Sequence, residues 1–324
     1  MRITTEKLLE LAQKEAESRP GVVSGYVIGS TASGDPVMGG TADVDLVLIH
    51  EFEPLTPREI VPLSDEVHLD ISHHAKRLYQ QPRDLRIDPW LGPSMCEPVF
   101  LHDPDHFFEW AQASVRGQFH RPDNVHTRGA AFLERARETL QEPESEKVWL
   151  SGWLRTLLEA ANAVASLDGF PAAGRRVMPQ LQSKLTAVGH PDIYDQVLQL
   201  LGADSFESTL PEGWLVKWAD AFDAASEQSL DPELAIVRRD YHMSGFNMMV
   251  EHGSAVEILW PLLSTWDRSI QALPFAGKHR SDWAQVLGLL GLSMDQAGER
   301  ESELEILLDQ IEGVLEYWAE KVGA

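Results

Sequence analysis

The stretch VIGSTASGDPVMGGTADVDLVLI, Val27 to Ile49, constrains the fold more than any other part of the chain. An apolar run ends in Gly29-Ser30, twelve residues that include Gly34, Gly39 and Gly40 intervene, and Asp43 and Asp45 then alternate with Val44 and Leu46 at the start of a second apolar run. The pattern predicts a strand, a glycine-rich turn and a second strand. Side chains along a strand alternate between faces, so Asp43 and Asp45 point one way while Val44, Leu46 and Leu48 point the other. Two like charges side by side need a cation. A third carboxylate, Asp70, stands in the alternating run Val67-His68-Leu69-Asp70-Ile71-Ser72, on the face opposite to the apolar residues 67, 69 and 71. Three acidic side chains from two strands beside a glycine-rich turn suit divalent metals and a nucleoside triphosphate.

The formal net charge of -24 divides into -10 on residues 1–115 and -14 on the remainder. Both parts repel polyanions, and Lys and Arg cluster no further than short pairs such as Lys76-Arg77, Arg175-Arg176 and Arg238-Arg239. Binding to nucleic acid through its phosphates needs clustered cations, so a DNA or RNA template is not expected. No segment approaches the ~20 apolar residues of a membrane span. The N-terminus, charged throughout with leucines at 8, 9 and 12, predicts a helix rather than a secretion signal. With a single cysteine, Cys96, no internal disulfide can form, and a cytoplasmic location is expected.

Along the chain, a helix to about Arg19 is followed by strands at Val22–Ile28, Val44–Ile49 and from Val67, with a Pro-punctuated stretch (Pro54, Pro57, Pro62) read as connection. The short apolar piece around Val99 to His102, ending in an Asp-Pro turn, predicts a further strand. Beyond about residue 106 the periodicity becomes helical. Trp153, Leu154, Leu157, Leu158, Ala161, Val164 and Ala165 recur at helical spacing, as do Leu304, Leu307, Leu308, Ile311, Val314, Leu315 and Trp318. Breakers at 169–174, 189–191, 210–213 and 273–277 imply several helices with short loops, a bundle. The fold class expected is therefore α+β: a small mixed sheet with helices against it, followed by an α-helical bundle. The boundary falls between about 106 and 122.

Gly29, Ser30, Asp43, Asp45 and Asp70, in that order and with those apolar flanks, resemble the signature of the DNA polymerase β-type nucleotidyltransferase superfamily. The resemblance covers roughly the first third of the chain. It implies a nucleotidyltransferase domain over 1–115 and a helical bundle over 116–324, the layout of members that modify aminoglycoside-type antibiotics. The activity it implies is transfer of a nucleoside monophosphate, AMP from ATP, to a hydroxyl of a small-molecule acceptor, with Mg²⁺ held by Asp43, Asp45 and Asp70. By the same resemblance Ser30 gives its hydroxyl to a phosphate oxygen and Gly29 allows close backbone approach. A cationic acceptor would suit the acidic surface, for which solubility through net charge is the alternative reading. The segment from Asn162 to Leu181 is similar to the helix, turn, helix element of small-molecule members, where a basic side chain after the turn reaches the triphosphate. Here the candidates are Arg175, Arg176 and Lys184, with a solvated helix end as the alternative reading.

Either Asp70 or Glu97 could take the acceptor proton; for Glu97 the alternative is a surface residue before a strand. His68, His73 and His74 do not have the spacing of a zinc cluster, and His68 is expected as a polar neighbour of Asp70. The alternatives to small-molecule transfer are a protein-modifying or toxin-neutralising transferase and a catalytically silent interaction module on the same scaffold. The sheet domain alone offers few walls for an acceptor, which leaves room for a site shared between the subunits of a homodimer.

Overall fold

The structure, a computed structural model, describes residues 4–34, 37–141, 149–206 and 210–324. It is of the α+β class, a five-stranded mixed sheet followed by a long helical region. The chain divides into two compact units at Asn124/Val125, so the division lies C-terminal of the expected 115 and inside a helix.

The first unit runs α1 (Thr5–Ser18), β1 (Val22–Ile28), α2 (Gly29–Ser33), β2 (Ala42–His50), β3 (Arg58–Pro62), β4 (Val67–Ala75), α3 (Pro82–Ile87), α4 (Leu91–Ser94), β5 (Val99–His102) and α5 (Phe107–Arg116). Strand order is β3-β4-β2-β1-β5. The central pair β2 and β4 is parallel, and the other neighbours are antiparallel. Two elements differ from the sequence reading. The Pro-punctuated stretch contains the strand β3, which survives between Pro57 and Pro62 because it lies at the sheet edge, where one side of the backbone needs no ladder partner. The start of the glycine-rich turn is a short helix, closed by Gly34 at φ 74°, whose N–H donates to the carbonyl of Ser30. Residues 35 and 36 of that turn lie outside the described residues.

One face of the sheet is apolar by alternation. Val27, Val44, Leu46, Leu48, Val67, Leu69 and Ile71 are buried there against Leu8, Ala12 and Ala16 of α1. Close approach is possible because Gly25 lacks a Cβ, which would stand 2.9 Å from the Cβ of Ala16. Much of the other face is covered by aromatic side chains: Tyr26 stacks on Phe108 of α5 with ring centroids 4.1 Å apart. Its hydroxyl hydrogen-bonds that of Tyr79 at 2.8 Å. Asp103 holds α5 in place by accepting from the N–H groups of Phe108 and Glu109 at 3.1 and 2.9 Å.

The second unit is helical: α6 (Pro122–Gln141), α7 (Trp149–Ala165), α8 (Val177–Ala187), α9 (Pro191–Leu200), α10 (Leu210–Ser226), α11 (Ile236–Glu251), α12 (Leu259–Ala272), α13 (Gly277–Leu290) and α14 (Ala297–Val322). The residues 210–213, expected as a breaker, instead open α10, since a proline is tolerated in a first helical turn. The stripe Leu304, Leu307, Leu308, Ile311 and Leu315 of α14 is buried, and α14 packs on α7. Most tryptophans serve the core: Trp218 and Trp266 are fully buried, and the indole N–H of Trp218 donates to Thr265 at 2.9 Å. Among the described residues no helix is long and apolar enough to cross a membrane.

Candidate active site

The parallel register of β2 and β4 sets Asp43 opposite His68 and Asp45 opposite Asp70. Directly paired residues in adjacent strands share a face, so Asp43, Asp45, His68 and Asp70 all lie on the face turned away from α1. The two strands thus bring the three predicted carboxylates together at the N-terminal ends of β2 and β4. Asp43 and Asp45 are half-buried, whereas Asp70 and His68 are buried, at 5% and 1% exposure.

The Gly-Ser turn is fastened to the same end. Ile28, the last residue of β1, pairs with Asp45, and Gly29 follows at φ 69°, a conformation that L side chains rarely adopt. A Cβ on Gly29 would overlap Oδ2 of Asp45, so any other residue here is strained by its dihedral and displaces the carboxylate packed on it. The hydroxyl of Thr31 donates to the carbonyl of Asp43 at 3.3 Å and ties α2 to β2. Ser30 is therefore carried on a turn whose two neighbours contact the residues bearing the carboxylates. Glu97 is exposed, two residues before Val99, whose partner on β1 is Val27; it stands at the same end of the sheet as Gly29.

A residue absent from the sequence reading completes the cluster. Arg58 of β3 lies on the same face as Asp70, and its Nε and Nη2 donate to Oδ1 and Oδ2 of Asp70 at 2.6 and 2.5 Å. This is a two-pronged guanidinium–carboxylate pair, with Asp70 at 5% and the Arg58 side chain at 34% exposure. Among the described residues, no three His, Cys, Asp or Glu side chains are arranged so as to hold a metal ion as they stand. At Asp70 both carboxylate oxygens face the guanidinium of Arg58. The donor set itself fits magnesium: three carboxylates, no sulfur, and a glycine cradle against one of them.

The histidines do other work. His73 and His74 point to opposite faces of β4, as adjacent strand residues must. On the α1 side, Nε2 of His73 is 3.0 Å from Glu59, and its Nδ1 is 2.8 Å from Nε2 of His50. On the other side, Nδ1 of His74 is 2.6 Å from the Tyr79 hydroxyl. Burial, then the nearby His73, lowers the His74 pKa from its ordinary value, which suits a neutral ring that accepts from Tyr79. Burial also pushes the Tyr26 hydroxyl up to about 12, so this relay stays uncharged.

In the second unit two of the cations expected near the triphosphate, Arg175 and Lys184, are engaged within the bundle. Arg175 is buried, donates to the carbonyl of Tyr241 and lies over that ring, 3.7 Å from its centroid. Gly245 makes room for it, because a Cβ there would stand 2.5 Å from Cδ of Arg175. Lys184 faces Asp168 at 3.7 Å, and Arg176 is half-buried in the turn before α8. The connection from α7 to α8 is clamped by buried Asn162, which donates to the carbonyl of Ala172 at 3.0 Å and accepts from its N–H at 2.7 Å. No protein-family model matches the chain, and no curated protein matches it.

Proposed function

We propose that the protein is a magnesium-dependent nucleotidyltransferase that moves a nucleoside monophosphate, AMP from ATP, to a hydroxyl of a small-molecule acceptor. The observation that carries this reading is the pairing of Asp45 with Asp70 across parallel strands, with Asp43 on the same face and Gly29 packed on Asp45. In this reading Asp43, Asp45 and Asp70 hold magnesium, which when bound supplies positive charge to the triphosphate and makes the acceptor hydroxyl a better nucleophile. In this reading Gly29 lets the backbone approach the phosphates closely, and Ser30 donates its hydroxyl to a phosphate oxygen. Uptake of the acceptor proton falls to Asp70 or, as the alternative at this end of the sheet, to Glu97. The net charge of -24 supports an acceptor that is itself a cation, of the aminoglycoside kind, over a nucleic acid.

The test is a screen of nucleoside triphosphates with Mg²⁺ against hydroxyl-bearing amines, followed by pyrophosphate release, with Asp43→Ala and Asp45→Ala alongside. Both aspartates are half-buried on the face turned away from α1, so truncating one leaves the packed apolar face of the sheet untouched and the fold intact. Transfer should vanish in both variants while the circular dichroism spectrum is unchanged. Full activity in either one removes the metal assignment. One observation favours a silent scaffold instead, namely that Arg58 already neutralises Asp70. A thermal shift with Mg²⁺ and any common nucleoside triphosphate would decide against that alternative.

A further inference from the structure

Asp70 stands at the junction of two demands. It is a buried carboxylate on the strand beside Asp45, and its two oxygens are held by Nε and Nη2 of Arg58 at 2.6 and 2.5 Å. A guanidinium in that two-pronged position satisfies the charge and the in-plane lone pairs of a carboxylate together. The same lone pairs would have to bind a hard divalent cation, and a guanidinium and a divalent cation at one carboxylate also repel each other.

We propose that Arg58 is a built-in counterion that competes with divalent cation for Asp70, so that the metal-free site is kept closed and metal enters only by displacing the guanidinium. This rests on the nucleotidyltransferase reading, because it takes Asp70 as a metal ligand. Several features of the pair fit an exchangeable counterion. Arg58 comes from the edge strand β3, whose outer side has no ladder partner among the described residues, and its side chain is 34% exposed, so solvent can receive the head group when it swings away. Asp70 is only 5% exposed and cannot turn to water in exchange. A buried carboxylate without a counterion is costly, which gives the arginine a purpose in the metal-free protein. Arg58 is thus a positioning residue: it acts through Asp70 and sets the metal concentration at which the site fills.

The experiment titrates Mn²⁺, as a paramagnetic stand-in for Mg²⁺, into the full chain and follows free Mn²⁺ by electron paramagnetic resonance. It compares the wild type, Arg58→Gln, Arg58→Lys and Asp45→Ala. Removing the competing charge should tighten Mn²⁺ binding by about threefold to tenfold in Arg58→Gln, the range for a pair with one partner half-exposed. Arg58→Lys keeps the charge but loses the fork, and should fall between the two. The metal-free Arg58→Gln protein should melt below the wild type, and saturating Mn²⁺ should raise its melting temperature by more than it raises that of the wild type. A merely structural arginine would lower stability and weaken or leave unchanged the metal affinity.

If the wild type binds Mn²⁺ with dependence on Asp45 and Arg58→Gln binds it no tighter, the competition is overturned and the metal site stands. If neither protein binds Mn²⁺ in an Asp45-dependent way, both fall. Should Arg58→Gln fail to fold by circular dichroism, Arg58→Lys decides: tighter binding supports the proposal, and unchanged or weaker binding overturns it.

Discussion

Gly29 and Gly34 bracket the short helix α2, and comparing alanine at the two positions separates backbone strain from damage to the site. Both have positive φ, 69° and 74°, so alanine at either one carries a similar conformational penalty of about 1 kcal/mol. Their surroundings differ. Among the described residues a Cβ at Gly34 meets nothing within 4 Å, whereas a Cβ at Gly29 overlaps the Asp45 carboxylate, which must move aside. Each variant should therefore lose a few degrees of melting temperature. Only Gly29→Ala should lose function, because displacing a reacting group or metal ligand by about 1 Å can cost on the order of a hundredfold in rate. The assay is Mn²⁺ binding in the presence of ATP, followed by electron paramagnetic resonance, together with pyrophosphate release once an acceptor is in hand. Gly34→Ala should match the wild type in both. Retention of full binding and turnover by Gly29→Ala would refute the claim that the turn and Asp45 form one site. An equal loss in both variants would show that strain in the turn, and not the contact with Asp45, governs it.

Acid stability offers a test of the relay behind the sheet. His74 has a lowered pKa in the folded protein, so as pH falls below the ordinary 6.5 the unfolded chain takes up its proton first and stability declines. Above that pH the histidine is neutral in both states and contributes no slope. His74→Gln, whose amide oxygen can still accept from Tyr79, should flatten the fall of melting temperature between about pH 6.5 and 5. His50, also lowered, chiefly by burial, should retain part of the slope; an unaltered profile would count against this account. In the helical unit, Asn162→Ala removes both hydrogen bonds to Ala172 and leaves a buried N–H and C=O unpaired. The expected loss is about 2–4 kcal/mol, read as a fall of roughly 5–10 °C in the melting of that unit. A change below about 1 °C would mean that the loop is held by something else.

The elements that sequence made legible are those whose own residues determine them. The alternation in Val67 to Ser72 fixed the face of Asp70 before any partner was known, and the spacing in α14 fixed its buried stripe. The edge strand β3 was not legible, because Pro57 and Pro62 punctuate a run of only Arg58, Glu59, Ile60 and Val61, too short for a period to stand out. Losing the strand meant losing Arg58. The one available signal was Ile60-Val61, a β-branched pair that an edge position would tolerate between prolines. Helix α2 spans only five residues, less than two turns, and so left no periodicity. Arg175 reads as a free cation in sequence because its partner, Tyr241, is distant along the chain and is brought to it only by the packing of the bundle. Local patterns specify faces, whereas the identity of a counterion depends on tertiary pairing.

The carboxylates meet because the core on the other side of the sheet leaves them no alternative. A slip of β4 by one residue against β2 would turn Val67, Leu69 and Ile71 away from α1 and drive His68 and Asp70 into the space they fill. Exposing each of those apolar side chains would cost about 1.5–3 kcal/mol, and the buried carboxylate would add a further penalty. A slip by two residues keeps the faces but is opposed by the start of the ladder, where the N–H of Ala42 donates to the carbonyl of Glu66 at 3.0 Å. It would also shift Asp70 by roughly 7 Å along the strand, away from Asp45. Hydrophobic burial against α1 therefore selects the face, the ladder selects the step, and the pairing of Asp45 with Asp70 follows mainly from forces on the other face and along the backbone. That separation lets the acidic face change its chemistry, one carboxylate or one arginine at a time, without dismantling the sheet that aligns it.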